Sequence, residues 1–277
     1  AKQYRSSFAC KNGITNAFLC SFYRVATLGS GSGVAAIIYL GEHGIEYGGG
    51  FGLYMIQYAL HKISIALFSA IFFVMNWEFM RNWFGDYAGL LAAGYVLTLV
   101  ITLGLFLFCC SNRFHHLICR LLDFANQKFH GKFEIMAEEI KRQCMMLEDA
   151  SNHLMKNKKV TTEVIFLCLL KCCFWYGIPY LLFKGVRFQE NPALTLAQVL
   201  AITSLSVMLA AVIPSPAGIG STEFVFTSLF AGIVGTGMAG SASLLYRFGT
   251  FVFPFLVGTV VVIVRHIRRK RASEDLI

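Results

Sequence analysis

Residues 208–223, Met-Leu-Ala-Ala-Val-Ile-Pro-Ser-Pro-Ala-Gly-Ile-Gly-Ser-Thr-Glu, interrupt what would otherwise be unbroken apolar helix. Proline removes a backbone donor and glycine weakens the helical preference, so Pro214, Pro216, Gly218 and Gly220 together force an unwound turn. Hydrocarbon offers no water to the backbone groups such a turn sets free. The break is therefore tolerated only where protein or a watery cavity satisfies them. A broken helix ending in a carboxylate, Glu223, is the pattern from which transporters build a binding site inside the bilayer.

That argument requires a membrane protein, and composition supplies one. Of 277 residues, 56% are hydrophobic and only 14% charged, with a mean hydropathy of +0.62. A soluble domain carries about 25% charged residues. Apolar runs recur at 50–75, 88–110, 164–183, 193–213, 224–234 and 248–264. Several reach the roughly 20 residues that cross a bilayer core. The fold class expected is an all-α integral membrane protein, a multi-pass helical bundle. The chain starts at Ala1, with Lys2, Arg5 and Lys11 ahead of the first apolar stretch and no secretory leader pattern, so the start reads as an internal boundary with helices upstream. Nine cysteines, an odd number with several in apolar helices, exclude a secreted-type disulfide framework. His115, His116 and Cys119, and the trio Cys168, Cys172 and Cys173, lack the paired ligand spacing of zinc sites. No metal and no cofactor are expected.

Basic residues set the topology. Three lie before residue 12, nine in 111–160 and five in Arg265–Arg271, which by the positive-inside rule marks the cytoplasmic side and makes the C-terminus cytoplasmic. The loops 76–86 and 184–192 hold only Arg81, Lys184 and Arg187 and read as external, with Trp77, Trp83 and Phe84 as interfacial anchors. Residues 193–236 must then start and end outside as a hairpin with Pro214–Gly220 at its turn. Residues 12–47 must start and end inside, around Gly29-Ser30-Gly31-Ser32-Gly33. Two broken or re-entrant hairpins entering from opposite faces, each followed by a crossing helix bearing a cation, predict an inverted-topology repeat. A Gly-rich interfacial loop at 29–33 is the competing reading.

The whole chain, 1–277, reads as a single multi-pass membrane domain: a first half at 12–110, a linker at 111–160, a second half at 161–264 and a basic tail at 265–277. In the linker, Phe133, Met136, Ile140, Leu147 and Leu154 recur at helical spacing opposite Glu138, Glu139, Lys141 and Arg142. The pattern predicts an amphipathic cytoplasmic helix, read as a solvated connection between the halves. Its nine basic and six acidic residues are too mixed for nucleic acid. The tail cluster Arg265–Arg271 should attract anionic lipid headgroups.

Four cations, Arg24, Lys62, Lys171 and Arg247, fall within apolar stretches, against Glu223 as the one acid placed firmly inside. A charge at mid-membrane costs ~2.5–3.5 kcal/mol on insertion scales, so such residues need partners or purpose. A cation-rich interior suits an anionic ligand such as a phosphodiester, held bidentately by Arg and as a point charge by Lys. Helix N-termini at the Pro214–Gly220 break would add N–H donors. Snorkelling Lys62 and Lys171, and a purely structural Arg247–Glu223 salt bridge, are the bland alternatives. Ser215 reads as a turn residue or headgroup ligand, since no phosphate loop, His-Glu-x-x-His or nucleophile elbow is present and no catalytic residue stands out.

The stretch Ile213-Pro-Ser-Pro-Ala-Gly-Ile-Gly-Ser-Thr-Glu223, with Leu244-Leu-Tyr-Arg-Phe248 and Pro254-x-x-x-Gly258 after it, resembles the lysylphosphatidylglycerol synthase/flippase membrane domain. That family carries a similar Pro-x-Pro-Gly-Gly-x-Gly-x-x-Glu turn and then an Arg-bearing helix. In the first half, Thr27-Leu-Gly-Ser-Gly-Ser-Gly33 stands where the family has a Thr-Pro-Ser-x-x-Gly-Gly turn. The proline is missing, and Val34-Ala35 replaces a frequent acid. The resemblance implies translocation of an anionic or aminoacylated phospholipid, lysylphosphatidylglycerol in the best-understood relatives, across a bacterial cell membrane in resistance to antimicrobial peptides. Some relatives carry a soluble aminoacyl-transferase domain after the membrane region. This chain ends at Ile277 without one, and the reading leans away from an enzyme.

The site expected comprises Arg247 and Glu223 as a central pair, Ser215, Gly218 and Gly220 shaping the turn, and Lys62, Lys171 and Arg24 as phosphate contacts. Expected partners are the phospholipid substrate, membrane lipids, a soluble lipid-modifying transferase and a further copy of the chain. Two other functions stay open: a membrane subunit that docks a lipid-modifying transferase, and a small-solute secondary transporter.

Overall fold

The computed structural model describes residues 8–85, 87–128, 134–155, 157–185 and 194–274, which contain helices and no strand. Short helices α1 (Cys10–Ala26) and α2 (Gly31–Glu42) form a hairpin ahead of the long α3 (Tyr47–Met75). Next come α4 (Trp77–Phe84), α5 (Tyr87–Cys110), α6 (Asn112–Lys128), α7 (Glu134–Met155) and α8 (Lys158–Gly185). A second hairpin, α9 (Leu196–Ala210) and α10 (Ser221–Val234), precedes α11 (Thr236–Arg247) and α12 (Phe253–Glu274).

Helix length separates crossing from re-entrant elements. Five stretches are long and apolar enough to cross a membrane: α3, α5, α8, Pro216–Val234 and Thr236–Arg271. The helices α1, α2 and α9, at 17, 12 and 15 residues, are too short to be among them. A helix of 15 residues reaches only about 22 Å against a core of about 30 Å. The protein is an all-α multi-pass membrane protein in which the short α1–α2 hairpin precedes the long α3, while the second hairpin pairs the short α9 with a stretch, Pro216–Val234, itself long and apolar enough to cross.

α9 is the axis of the bundle. Val199 through Ser206 are buried without interruption, and α3, α5, α8 and α10 pack around them. Hidden on all sides, α9 pairs most of its hydroxyls with its own backbone, Thr203 Oγ1 being buried without a partner. Ser204 Oγ donates to Ala201 O at 3.1 Å, and Ser206 Oγ donates to Thr203 O at 2.7 Å. A capping box closes its start: Gln198 N donates to Thr195 Oγ1 at 3.3 Å, and Thr195 N donates to Gln198 Oε1 at 2.8 Å. Phe226, Phe230, Tyr246 and Tyr176 complete this core.

The outer helices are patterned inside out. On α5 the buried stripe is Ala88, Tyr95, Thr98, Thr102 and Cys109, while Leu90, Val100, Ile101 and Leu107 are exposed. Tyr95 Oη donates to Ala66 O at 2.7 Å, which ties α5 to α3. Leucines face outward because lipid, not water, is their solvent.

Two elements differ from the sequence reading. The segment 76–86, taken as a loop, holds α4, whose Met80 is buried while Trp77 and Trp83 stay exposed at one rim. The linker helix α7 is present but docked rather than merely solvated. Leu147 and Ala150 are buried, and a Cβ on Gly52 of α3 would lie 2.3 Å from Ala150 Cβ. Phe133 lies outside the described residues, as do the side chains of Met136 and Leu154. The docking needs a residue without a side chain at position 52, a distant feature that helical periodicity within 111–160 cannot reveal.

The last helix clasps the first hairpin. A Cβ on Gly258 would sit 2.4 Å from Phe18 O, so α12 meets α1 backbone to backbone. The Phe22 and Phe255 rings stack at 5.6 Å beside it. Where the pair leaves the apolar zone, Glu42 accepts from Arg265 and Arg269, and the Arg265 guanidinium lies 4.6 Å from the Tyr39 ring centre.

Candidate functional site

Both helix breaks are present, but the first lies earlier than the Gly29–Gly33 cluster predicted for it, because Gly31, Ser32 and Gly33 already form the first turn of α2. The first, Thr27–Ser30, links α1 to α2; the second runs from Ala211 to Gly220 between α9 and α10 and contains one 3-10 turn, Pro216–Gly218. Among the described residues, the non-glycine residues with positive φ are Leu28 (53°) and Ala217 (54°), one in each break. Such backbone costs of order 1 kcal/mol or more and persists where the surroundings over-determine it. Glycines carry the rest of each turn, with φ of 110° at Gly29, 75° at Gly218 and 84° at Gly220.

The two breaks meet. A Cβ on Gly29 would lie 3.4 Å from Ala217 N, so the backbones of the two turns touch. The turns are 188 positions apart in the sequence, and the start of α2 and the start of α10 converge on the contact. Converging N-termini give the place a positive bias before any side chain is counted.

The second break is braced from within. Arg247 Nε donates to Glu223 Oε1 at 2.7 Å, and its Nη2 donates to Gly218 O at 3.2 Å. Glu223 Oε2 accepts from Gly220 N at 2.9 Å. One N–H at the start of α10, expected to face a ligand, is therefore held by the chain's own carboxylate. Ser215 Oγ lies 2.6 Å from Ser221 Oγ, closing the turn across its mouth. Arg247 owes its position to an irregularity in its helix. It ends α11, and a π turn, Phe248–Val252, follows before α12. Pro254 lacks the N–H that would continue the regular ladder, and the wider turn absorbs the mismatch.

The intramembrane cations each lie near an aromatic ring. The guanidiniums of Arg24 and Arg247 stand 5.8 and 4.3 Å from the centre of one ring, Phe251. Arg24 is exposed. Lys62 and Lys171 are half-buried. Lys62 Nζ stands 5.5 Å from the Tyr58 ring centre, and Lys171 Nζ 4.3 Å from that of Trp175. Among the described residues, Arg24, Lys62 and Lys171 form no ion pair.

Of the eight expected residues, Arg247, Glu223, Ser215, Gly218 and Gly220 meet at the break, Arg24 reaches Arg247 through the Phe251 ring, and Lys62 on α3 and Lys171 on α8 each stand against an aromatic ring of their own helix.

A comparison with known families matches residues 12–258 to the transmembrane region of lysylphosphatidylglycerol synthase. The chain belongs to that family. The match covers both hairpins, the linker and the Pro254–Gly258 segment. No curated protein and no solved structure matches the chain.

The family's turn motif contains Glu223 and its following helix contains Arg247, but the aromatic partners escaped the sequence reading. Tyr58 and Lys62, Lys171 and Trp175, and Arg247 and Phe251 are each four residues apart. That spacing puts ring and cation on one helical face and was legible as a pattern. His61, whose Nδ1 is buried without a partner, also escaped.

Proposed function

We propose that the protein is a lipid flippase that carries an anionic phospholipid, phosphatidylglycerol or a derivative, between the leaflets of the bacterial cytoplasmic membrane. The acyl chains stay in the bilayer while the headgroup passes beside the two touching breaks. One observation carries this reading: Arg24 from the first hairpin and Arg247 from behind the second share the Phe251 ring where the hairpin turns meet.

The chemistry follows from the partners. An arriving phosphate competes with Glu223 for the Arg247 guanidinium, whose planar fork suits two phosphate oxygens. Glu223 keeps its bond from Gly220 N when Arg247 turns away, so the carboxylate is not stranded. The pair is then a gate that opens on an anion. Lys62 and Lys171 extend the positive path as point charges, each resting on an aromatic face. Basic residues at Arg265–Arg271 support a cytoplasmic C-terminus, next to anionic headgroups.

Leaflet-resolved quenching of labelled phosphatidylglycerol in reconstituted vesicles tests the proposal. Crossing should exceed that of protein-free vesicles and fall at least about tenfold in Arg247→Ala. Unchanged crossing in a folded Arg247→Ala protein rejects it.

A further inference from the structure

We infer that α6 lies in the membrane surface, its outward face resting on the acyl chains and phosphates of anionic lipid in the leaflet where α5 ends. This docking is separate from the flippase reading and holds whether or not the protein moves lipid.

The start of α6 is tied to the membrane boundary. α5 is long and apolar enough to cross the bilayer and ends at Cys110, and α6 begins at Asn112. His115, only 1% exposed, donates from Nε2 to Phe108 O in the last turn of α5. Ser151 Oγ of α7 donates to Cys110 O at 3.2 Å, so the root of the α6–α7 hairpin is held at that same turn. Farther out, Lys141 of α7 pairs with Asp123 of α6 and keeps the two helices together.

The outward faces of this hairpin differ in kind. On α6, Arg113, His116, Leu117, Arg120 and Leu121 are exposed, and their spacing of three and four residues puts them on one side, away from the buried His115. Leu117 and Leu121 are 50% and 58% exposed. Among the described residues no carboxylate pairs with Arg113 or Arg120, and Asp123, the one acid in the α6 sequence, is taken by Lys141. On α7 the exposed residues include Glu138, Glu139, Arg142 and Asp149, and Arg142 is already paired with Glu139 at 2.7 Å. That acidic face suits water. Exposed leucines beside unpaired arginines instead suit a lipid surface, where the leucines enter the acyl boundary and each guanidinium takes two phosphate oxygens. Leu103 and Leu107 are exposed near the end of α5, so α6 follows directly on a surface that lipid covers. The linker is thus divided, with α6 on lipid and the outer side of α7 in water.

Quenching of an added tryptophan by acyl-brominated lipid tests the docking, with the full chain in nanodiscs and the signal of Trp77, Trp83 and Trp175 subtracted. Leu121→Trp should lose emission in phosphatidylglycerol discs, whereas Met145→Trp, 59% exposed in the parent on the outer side of α7, should not. The loss should be smaller in phosphatidylcholine, and Arg113→Gln combined with Arg120→Gln should abolish the difference between the lipids. Each arginine is expected to raise the bound-to-free ratio of the face about fivefold, the equivalent of about 1 kcal/mol per basic residue at an anionic surface. Leu121→Trp left unquenched in phosphatidylglycerol overturns the inference, whether the face meets water or another protein. Equal quenching in both lipids, unmoved by the Gln variants, overturns the assignment to anionic lipid. Quenching of Met145→Trp as strong as that of Leu121→Trp overturns the division of faces. Absent leaflet crossing with this quenching pattern intact would reject the flippase reading alone.

Discussion

Replacing Glu223 by Gln is the most informative single change. The carboxylate offers two acceptors, one to Arg247 Nε at 2.7 Å and one to Gly220 N at 2.9 Å. Gln keeps the size but has one carbonyl oxygen, so one donor is left facing an NH2 group. The Arg247 charge also loses its counter-ion, with a side chain only 11% exposed against 28% for Glu223. Removing one member of a buried pair costs about 3–5 kcal/mol. Solvent at Glu223 returns part of that, which leaves about 2–3 kcal/mol, or about 30- to 150-fold in the folding equilibrium. Arg247→Gln strands the carboxylate instead. The double variant places two neutral amides together, so it should be less destabilised than the sum of the singles by about 2 kcal/mol. Equilibrium unfolding in mixed micelles measures all four proteins. Additivity within about 0.5 kcal/mol would refute the pair as a coupled brace of the break.

Gly258→Ala should lower the unfolding temperature by the equivalent of about 1–3 kcal/mol, because its Cβ would meet Phe18 O, a backbone atom, at 2.4 Å. Gly232→Ala, which meets nothing within 4 Å, is the control, and equal stability of the two variants would dismiss the α1–α12 contact. At the bundle's edge, burial pushes the Glu42 carboxyl up, but the Arg269 and Arg265 guanidiniums outweigh it and hold it below the usual carboxylate range. A depressed carboxylate stabilises the fold above its unfolded value of about 4.3, and the contribution fades as pH falls through the lower folded value. Glu42→Gln should therefore be less stable than the parent at neutral pH and converge with it on acidification below about pH 4; parallel stability curves would contradict this.

Solvent explains what the sequence determined alone. A chain this apolar can only dissolve in lipid, so the crossing helices α3, α5 and α8 were legible from length and hydropathy. The break at Pro214–Gly220 was legible because proline and glycine act on their own backbone, and the buried charges because each is costly wherever it lies. Local chemistry therefore announced which residues were unusual. Only the tertiary structure decided what they are unusual for. No spacing within the chain says that Gly29 will touch Ala217, that Gly52 and Gly258 are bare so that α7 and α12 can reach α3 and α1, or that Arg24 and Arg247 will share one ring. Those contacts join residues far apart in the chain, and they depend on the angle and depth at which whole helices pack. That geometry is set by the sum of many small packing contacts, and it turned residues scattered along the chain into one braced break.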